Sequence, residues 1–354
     1  MRIVVNDIAA SEGGALAVLN DLYEMIVEHD DKNEWIFLLS GEYLEPKENI
    51  RIVQFPEIKT SWFKRLTFEL FKGKYIIGEM NPDIYVSLQN TATLGLNIPQ
   101  YVYFHQVLPY QKQLKFNLFN REENLLWLYQ YIGKNIYQLL FKISNARVIV
   151  QSNWLKEEMS QHLNNVFSVS QPKVSPQIYE YEFNELSFYE KKNFFYPTSQ
   201  FKYKNFEVLF EAVKLLNSRG VCNFEVYVTL DENKFEAIPN LTFLNKISRT
   251  EVYEYMANSV LVFPSLVESY GLPLLEAKIV NTYIIASDLE YAHEVLDDYK
   301  NVSFFDSKNA ESLAELMTRI INNEINIDKS ESSYLENNNN LLNILVGGNN
   351  EKYQ

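Results

Sequence analysis

Short apolar runs alternate with stretches of helical period along most of the chain, and this alternation restricts the fold more than any other feature. Parallel strands need a long crossover between them, usually a helix. The pattern therefore predicts parallel sheets wrapped by helices. In the first half the candidate strands are 2–5, 35–39, 50–55, 83–88, 100–105 and 146–150. In the second half they are 194–198, 223–229, 240–244, 259–264, 282–286 and 301–305, with helical patterns over 205–218, 248–257, 272–280 and 309–322. Residues 171–192 break the alternation and carry Pro172 and Pro176, so they read as a linker. The predicted class is α/β: two doubly wound parallel-sheet domains, 1–170 and 193–325, followed by a polar, partly mobile tail, 326–354. Within the tail, Leu341-Leu342-Asn343-Ile344-Leu345 is apolar enough to dock. A length of 354 residues suits two domains better than one.

Charge and cysteine content narrow the function classes. A net charge of −14 argues against general nucleic-acid binding, which needs cations for phosphates. The charge is uneven: residues 1–180 hold 17 Lys and Arg against 20 Asp and Glu, and residues 181–354 hold 15 against 26. The single cysteine, Cys222, leaves no internal disulfide and fits a reducing compartment. Met1-Arg2-Ile3-Val4-Val5 runs straight into a strand, unlike a signal peptide. No run approaches the ~18 apolar residues of a membrane span. The expected location is the cytoplasm.

The stretch Pro264-Ser265-Leu266-Val267-Glu268-Ser269-Tyr270-Gly271-Leu272-Pro273-Leu274-Leu275-Glu276-Ala277 holds the densest chemistry. It follows Ser259-Val260-Leu261-Val262-Phe263, an apolar run that reads as a buried parallel strand. Pro273 suits a first helical turn, where its missing N–H costs nothing. The segment thus reads as strand, loop and helix, with Glu268 in the loop and Glu276 in the first turn. Unpaired amides at such a helix start suit a phosphate. A carboxylate at Glu276 can accept two hydrogen bonds from a ribose diol, as acidic residues do in dinucleotide folds. Gly13-Gly14 lies between the first strand and an amphipathic pattern of Leu16, Leu19, Leu22, Tyr23 and Ile26. Ligands of doubly wound sheets bind at the carboxyl ends of the strands, so the two loops are expected on opposite walls of a cleft.

Residues 259–296 closely resemble the donor-binding region of retaining glycosyltransferases of family 4, which have the GT-B fold of two facing Rossmann-like domains. The match runs through Phe263-Pro264-Ser265, Glu268 to Ala277, Ile285-Ala286-Ser287-Asp288-Leu289 and Glu294-Val295-Leu296, with Glu268 and Glu276 in the E-x7-E spacing. Tyr196-Pro197-Thr198 with Lys204-Asn205 resembles the strand and loop in which a lysine grips the donor diphosphate. Many members carry an arginine about five residues before that lysine, where this chain has Ser199 and then Gln200. Lys202 is a partial substitute at best, being a point charge rather than a fork. Gly13-Gly14 matches the glycine loop after the first strand. His105, in Tyr103-Phe104-His105-Gln106, matches the histidine that faces the donor sugar.

The resemblance implies transfer of a hexose-type sugar from a nucleotide-diphosphate sugar to a glycan or lipid-linked acceptor, with retention, in bacterial surface polysaccharide synthesis such as capsule or O-antigen. It implies no bound metal and no cofactor beyond the donor. By this resemblance Glu268 and His105 contact the sugar in catalysis. Glu276, Lys204, Ser269, Tyr270, Gly271, Leu272, Gly13 and Gly14 bind the donor. Plainer roles compete: Lys204 as a surface lysine, Glu276 as an acid favoured near a helix start, His105 as a satisfied core residue. Asp30-Asp31 and Asp297-Asp298 read as solvated loop acids, and no spacing suggests zinc. The Ser199 departure keeps open a catalytically inactive protein that partners another glycosyltransferase; a sugar-nucleotide epimerase is a third reading. Residues 59–74 hold five basic residues against Glu69, interleaved with Trp62, Phe63, Phe68 and Phe71, and residues 112–142 repeat the mixture. Such stretches suit a peripheral contact with the inner membrane face or a lipid-linked diphosphate; ordinary amphipathic helices packed on the sheet explain them equally.

Overall fold

The computed structural model describes residues 1–10, 13–59, 61–184, 192–325, 328 and 340–347. The chain divides into two compact units, Met1–Lys173 with Asn337–Gln354, and Val174–Glu336.

The first unit is built on seven parallel strands: β1 (Arg2–Asp7), β2 (Glu34–Leu39), β3 (Ile50–Gln54), β4 (Ile84–Ser87), β5 (Gln100–Phe104), β6 (Arg147–Val150) and β7 (Phe167–Val169). Their order is β3-β2-β1-β4-β5-β6-β7, so the connection direction reverses between β1 and β4. The central strands are apolar on both faces because helices cover both. The helix Gly13–His29 buries Leu19, Leu22, Met25 and Ile26, one stripe at helical spacing. The Leu341–Gly347 helix packs Leu341, Leu342 and Leu345 into that same core. The stretch expected as a tail thus returns a helix to the first unit; the remainder of 326–354, save Asp328 and Asn340, lies outside the described residues.

The second unit has six parallel strands: β8 (Lys192–Tyr196), β9 (Phe224–Val228), β10 (Leu241–Phe243), β11 (Val260–Phe263), β12 (Ile284–Ser287) and β13 (Val302–Phe305). Their order, β10-β9-β8-β11-β12-β13, reverses between β8 and β11. Helices Phe206–Ser218, Arg249–Ala257, Leu272–Val280 and Ala310–Ile321 fall within a residue of the helical patterns read from the sequence.

Three differences have physical reasons. β1 extends through Asn6 and Asp7, which are polar yet buried, so the apolar run understates the strand. β7 is a three-residue, half-buried edge strand too short to leave a periodic signal. The stretch expected as a free linker carries a short 3-10 turn, Pro176–Glu180, that buries Ile178, and Phe183 N–H donates to the Val280 carbonyl at 2.9 Å.

Candidate functional site

In a doubly wound sheet the ligand crevice opens at the carboxyl ends of the strands where their order reverses. In the second unit that point is flanked by the segments after β8 and β11. Lys204 ends the short turn Lys202–Lys204 after β8, and Glu268 lies in the loop after β11. Lys204 Nζ donates to Glu268 Oε1 at 2.7 Å, with both side chains mostly withdrawn from water. Asn205, at φ 55°, holds the turn in place. Its amide donates to the Pro264 carbonyl at 3.0 Å and the Ser307 carbonyl at 2.8 Å. The Tyr196 hydroxyl, at the end of β8, donates to the Lys204 carbonyl at 2.7 Å.

The loop after β11 closes on a glycine that cannot be replaced cheaply. Gly271 has φ 92°, and a Cβ there would lie 3.2 Å from the Tyr291 ring. Tyr291 is fixed in turn, its hydroxyl donating to the Ser265 carbonyl at 2.6 Å. Leu272 opens the helix and Pro273 follows, which leaves first-turn amides without helical acceptors. Ser269 and Tyr270 lie in the loop between Glu268 and Gly271, with Tyr270 buried.

Glu276 differs from expectation. It is the fifth residue of Leu272–Val280, and the first turn holds no acid. The helix dipole, which acts within about a turn, therefore gives little reason for a glutamate here. Glu276 is instead buried and held by two residues the sequence reading missed. Arg249 Nη2 donates to Glu276 Oε1 at 2.8 Å and the Tyr253 hydroxyl donates to it at 3.1 Å. Burial pushes the Glu276 carboxyl up, and the Arg249 guanidinium opposes that rise. Arg249 and Tyr253 stand four apart on the helix Arg249–Ala257, behind a capping box of Ser248 and Glu251. That spacing was the available signal.

Ser199, where an arginine was expected, lines a hollow of about 370 Å³ with Gln200, Thr229, Leu230, Asp231, Asn245 and Lys246. Gln200 accepts from Lys234 Nζ at 2.5 Å. Lysines thus stand near the position without supplying a guanidinium fork.

The first unit has its own polar cluster at its reversal point. Asp7 ends β1, and neither carboxylate oxygen has a hydrogen-bond partner; burial pushes this carboxyl up to about 8. Glu69, read from sequence as the lone acid of a basic stretch, is buried. It accepts hydrogen bonds from Thr93, Gln89 and Asn6, and burial pushes it up to about 7. His105 follows β5: Nε2 lies 3.2 Å from the Asn90 amide, Nδ1 is buried without a partner, and burial pulls the imidazole down to about 4. Gly13 and Gly14 open the first helix, and a Cβ on Gly14 would meet no atom within 4 Å, so protein packing does not require that glycine. Asp30 serves the fold, accepting from Asn33 Nδ2 at 2.8 Å and from Trp35 Nε1 at 3.0 Å.

Among the described residues no group of three or more His, Cys, Asp and Glu side chains is placed to hold a metal, and no helix is long and apolar enough to cross a membrane.

Residues 179–341 match the family model described as glycosyl transferases group 1. Over 215 residues the chain is 28% identical to the O-antigen chain mannosyltransferase RfbU of Salmonella typhimurium strain LT2, covering 54% of this chain and 59% of that relative. The fold is that of WaaG, a glycosyltransferase involved in lipopolysaccharide biosynthesis: TM-score 0.62, 17% identity, 89% of this chain and 90% of that one. Anabaena Alr3699/HepE in complex with UDP-glucose is similar at TM-score 0.61 and 13% identity, covering 92% of this chain and 90% of that one.

Proposed function

We propose that this chain, whose residues 179–341 carry a glycosyl transferases group 1 domain and whose two Rossmann-like units are those of the GT-B fold, moves a hexose-type sugar from a nucleotide-diphosphate sugar to a glycan or lipid-linked acceptor in bacterial surface polysaccharide synthesis. The observation that carries the reading is the pairing of Lys204 with Glu268 at the reversal point of the second sheet, with buried Glu276 on the helix that follows the same loop.

In this reading Glu276 accepts the ribose hydroxyls. Lys204 and the amides around Gly271 and Leu272 hold the diphosphate, where charge develops as the sugar leaves. Ser269 and Tyr270 shape that loop. Glu268 and His105 act on the sugar, and Gly13-Gly14 makes room for it. The anomeric C–O bond breaks with its electron pair going to the diphosphate. The acceptor oxygen bonds to the same carbon on the same face, and its proton passes to the departing phosphate. No metal takes part in this scheme. RfbU is described as an O-antigen chain mannosyltransferase and WaaG as a glycosyltransferase involved in lipopolysaccharide biosynthesis, which supports a surface glycan as product.

Exposed Phe63, Phe71, Tyr75 and Phe119 stand among Lys64, Lys72, Lys74, Lys115 and Arg121 in the first unit, which supports a peripheral membrane contact on its cytoplasmic face. Ser199 in place of an arginine favours the second reading, an inactive partner of another glycosyltransferase. Turnover separates the two. A panel of nucleotide sugars is incubated with and without membrane-extracted acceptors, beside Glu268→Gln. Transfer lost in the variant supports the enzyme; intact donors throughout, with cellular glycan unchanged by Glu268→Gln, refute it.

A further inference from the structure

Glu69 has no task in the reaction above, yet the first unit is built closely around it. The helical stretch Trp62–Glu79 widens at Phe68–Lys72, where the Gly73 N–H reaches back five residues to the Phe68 carbonyl. Such π-helical turns gather at functional sites. This one sets Glu69 against the segment after β4. The Glu69 carbonyl accepts from the Leu94 N–H at 2.9 Å, and a Cβ on Gly73 would come within 2.8 Å of the Thr93 side chain. Glu69 is 2% exposed, and burial pushes its carboxyl up to about 7. A leucine would fill the same space without that cost.

Both carboxyl oxygens are engaged inside the protein. Oε2 accepts from the Thr93 hydroxyl. Oε1 accepts from the Gln89 side-chain amide and, at 3.4 Å, from that of Asn6. A proton on Oε2 would leave this arrangement intact, because the Thr93 hydroxyl accepts as well as donates. Oε1 only accepts, so Asn6 and Gln89 must turn their NH2 groups to Glu69 and their oxygens away from it. Those oxygens hold the chain after β1. Asn6 Oδ1 accepts from the Ile8 N–H at 3.2 Å, and Gln89 Oε1 accepts from the Ala9 N–H at 3.1 Å. Ile8 and Ala9 lead toward Gly13-Gly14. Asn90, next to Gln89, holds the chain after β5: its Oδ1 accepts from the His105 N–H at 2.8 Å and the Gln106 N–H at 3.2 Å. Glu69 also lines a cavity of about 490 Å³ whose apolar wall includes Leu125, Leu128 and Ile132. With both oxygens occupied, it acts through its neighbours.

We propose that Glu69 is a positioning residue, which orients Asn6 and Gln89 so that they fix the backbone of Ile8 and Ala9 and with it the approach to Gly13-Gly14. The inference deepens the glycosyltransferase reading and rests on it for what that loop does. Loss of Glu69 should leave the nucleotide grip of Lys204 and Glu276 intact and impair only what the glycine loop meets, the sugar.

The test uses the full chain with Glu69→Leu, Glu69→Gln and Gln89→Leu. Gln89 is half-buried, so its variant carries the test if Glu69→Leu fails to fold. Hydrogen exchange at constant pH, read on peptides spanning residues 4–14, follows the Ile8 and Ala9 amides. Both leucine variants should raise exchange there about tenfold, the worth of one lost hydrogen bond, and leave β2 unchanged. Glu69→Gln should restore most of the protection, because its oxygen still accepts from Asn6 and Gln89. Calorimetry with UDP-glucose, GDP-mannose, UDP and GDP supplies a readout that general destabilisation does not move. For whichever base the wild type binds, the leucine variants should weaken the nucleotide sugar about tenfold and leave the bare nucleotide unchanged. Unchanged exchange in the leucine variants, or Glu69→Gln no better than Glu69→Leu, overturns the proposal. An equal effect on nucleotide sugar and bare nucleotide, including none, overturns it as well. A wild type that binds none of the four probes, beside the expected exchange pattern, sinks the glycosyltransferase reading and leaves the role of Glu69 in holding Ile8 and Ala9 standing.

Discussion

Asp7 should cost the first unit stability as pH rises, and Asp7→Asn should abolish that cost. The carboxyl stands at about 8 in the folded chain against an ordinary 3.8, because burial opposes its ionisation. Below about pH 4 both states hold the proton and the group is neutral to stability. Between 4 and 8 the unfolded chain releases it while the folded chain retains it, so the unfolded state gains and stability falls with pH. Above 8 the penalty is constant. At about 1.36 kcal/mol per pKa unit, the shift is worth about 6 kcal/mol in full, of which about 3–4 kcal/mol develops between pH 5 and 8. The figure is a ceiling, since water entry on ionisation relaxes part of it.

Urea unfolding followed by tryptophan fluorescence isolates the effect, because all four tryptophans lie in the first unit. Wild type should lose stability steadily from pH 5 to 8. Asp7→Asn should match it below about pH 4, exceed it by several kcal/mol at pH 8, and keep only the shallower slope that Glu69, at about 7, imposes. An unpartnered neutral amide replaces an unpartnered neutral acid, so no new penalty offsets the gain. If the variant shows the wild-type slope, or is the less stable protein at pH 8, Asp7 is ionised and partnered in solution and the reasoning fails.

Three further outcomes are expected. Arg249→Ala should weaken nucleotide-sugar binding at pH 6 more than at pH 8, measured by calorimetry, because it removes the charge that restrains the raised Glu276 carboxyl; equal loss at both values would mean Arg249 touches the ligand directly. Gly271→Ala should cost about 1–3 kcal/mol from its left-handed backbone and the Tyr291 contact, read as a lower melting temperature of the second unit together with weaker donor binding. Leu345→Ala should cost the first unit about 2–5 kcal/mol in the same fluorescence assay, since Leu345 is fully buried in its core; no change would mean the C-terminal helix is not docked in solution.

Strands and helices of this chain were legible because the signal is local: an apolar run of the right length, a glycine and proline at Gly271 and Pro273, an asparagine at Asn205 before a helix. The site was legible in part, where one loop holds several of its members, as in Glu268 to Glu276. The first-unit cluster was not. Asp7 lies outside the apolar run 2–5 because it and Asn6 are polar, yet the strand runs through it. Glu69 stands in the sequence as one acid among five basic residues, yet Asn6, Gln89 and Thr93 from distant segments donate to it. Only the sheet order brings residues 7, 69, 89, 93 and 105 together, and no spacing within one segment encodes it.

The two reversal points handle charge in opposite ways, and the difference bears on what each can bind. In the second unit every carboxylate of interest has a cation: Lys204 on Glu268, Arg249 on Glu276. In the proposed reaction, a diphosphate reaching Lys204 would compete with Glu268 for the same ammonium, and the carboxylate so released would stabilise positive charge growing at an anomeric carbon. In the first unit Asp7 and Glu69 have no cation among the described residues and ride at raised pKa instead. Neutral acids beside an apolar wall favour hydroxyls over anions. The second sheet end is therefore the one suited to an anionic ligand, and the first to neutral hydroxyls.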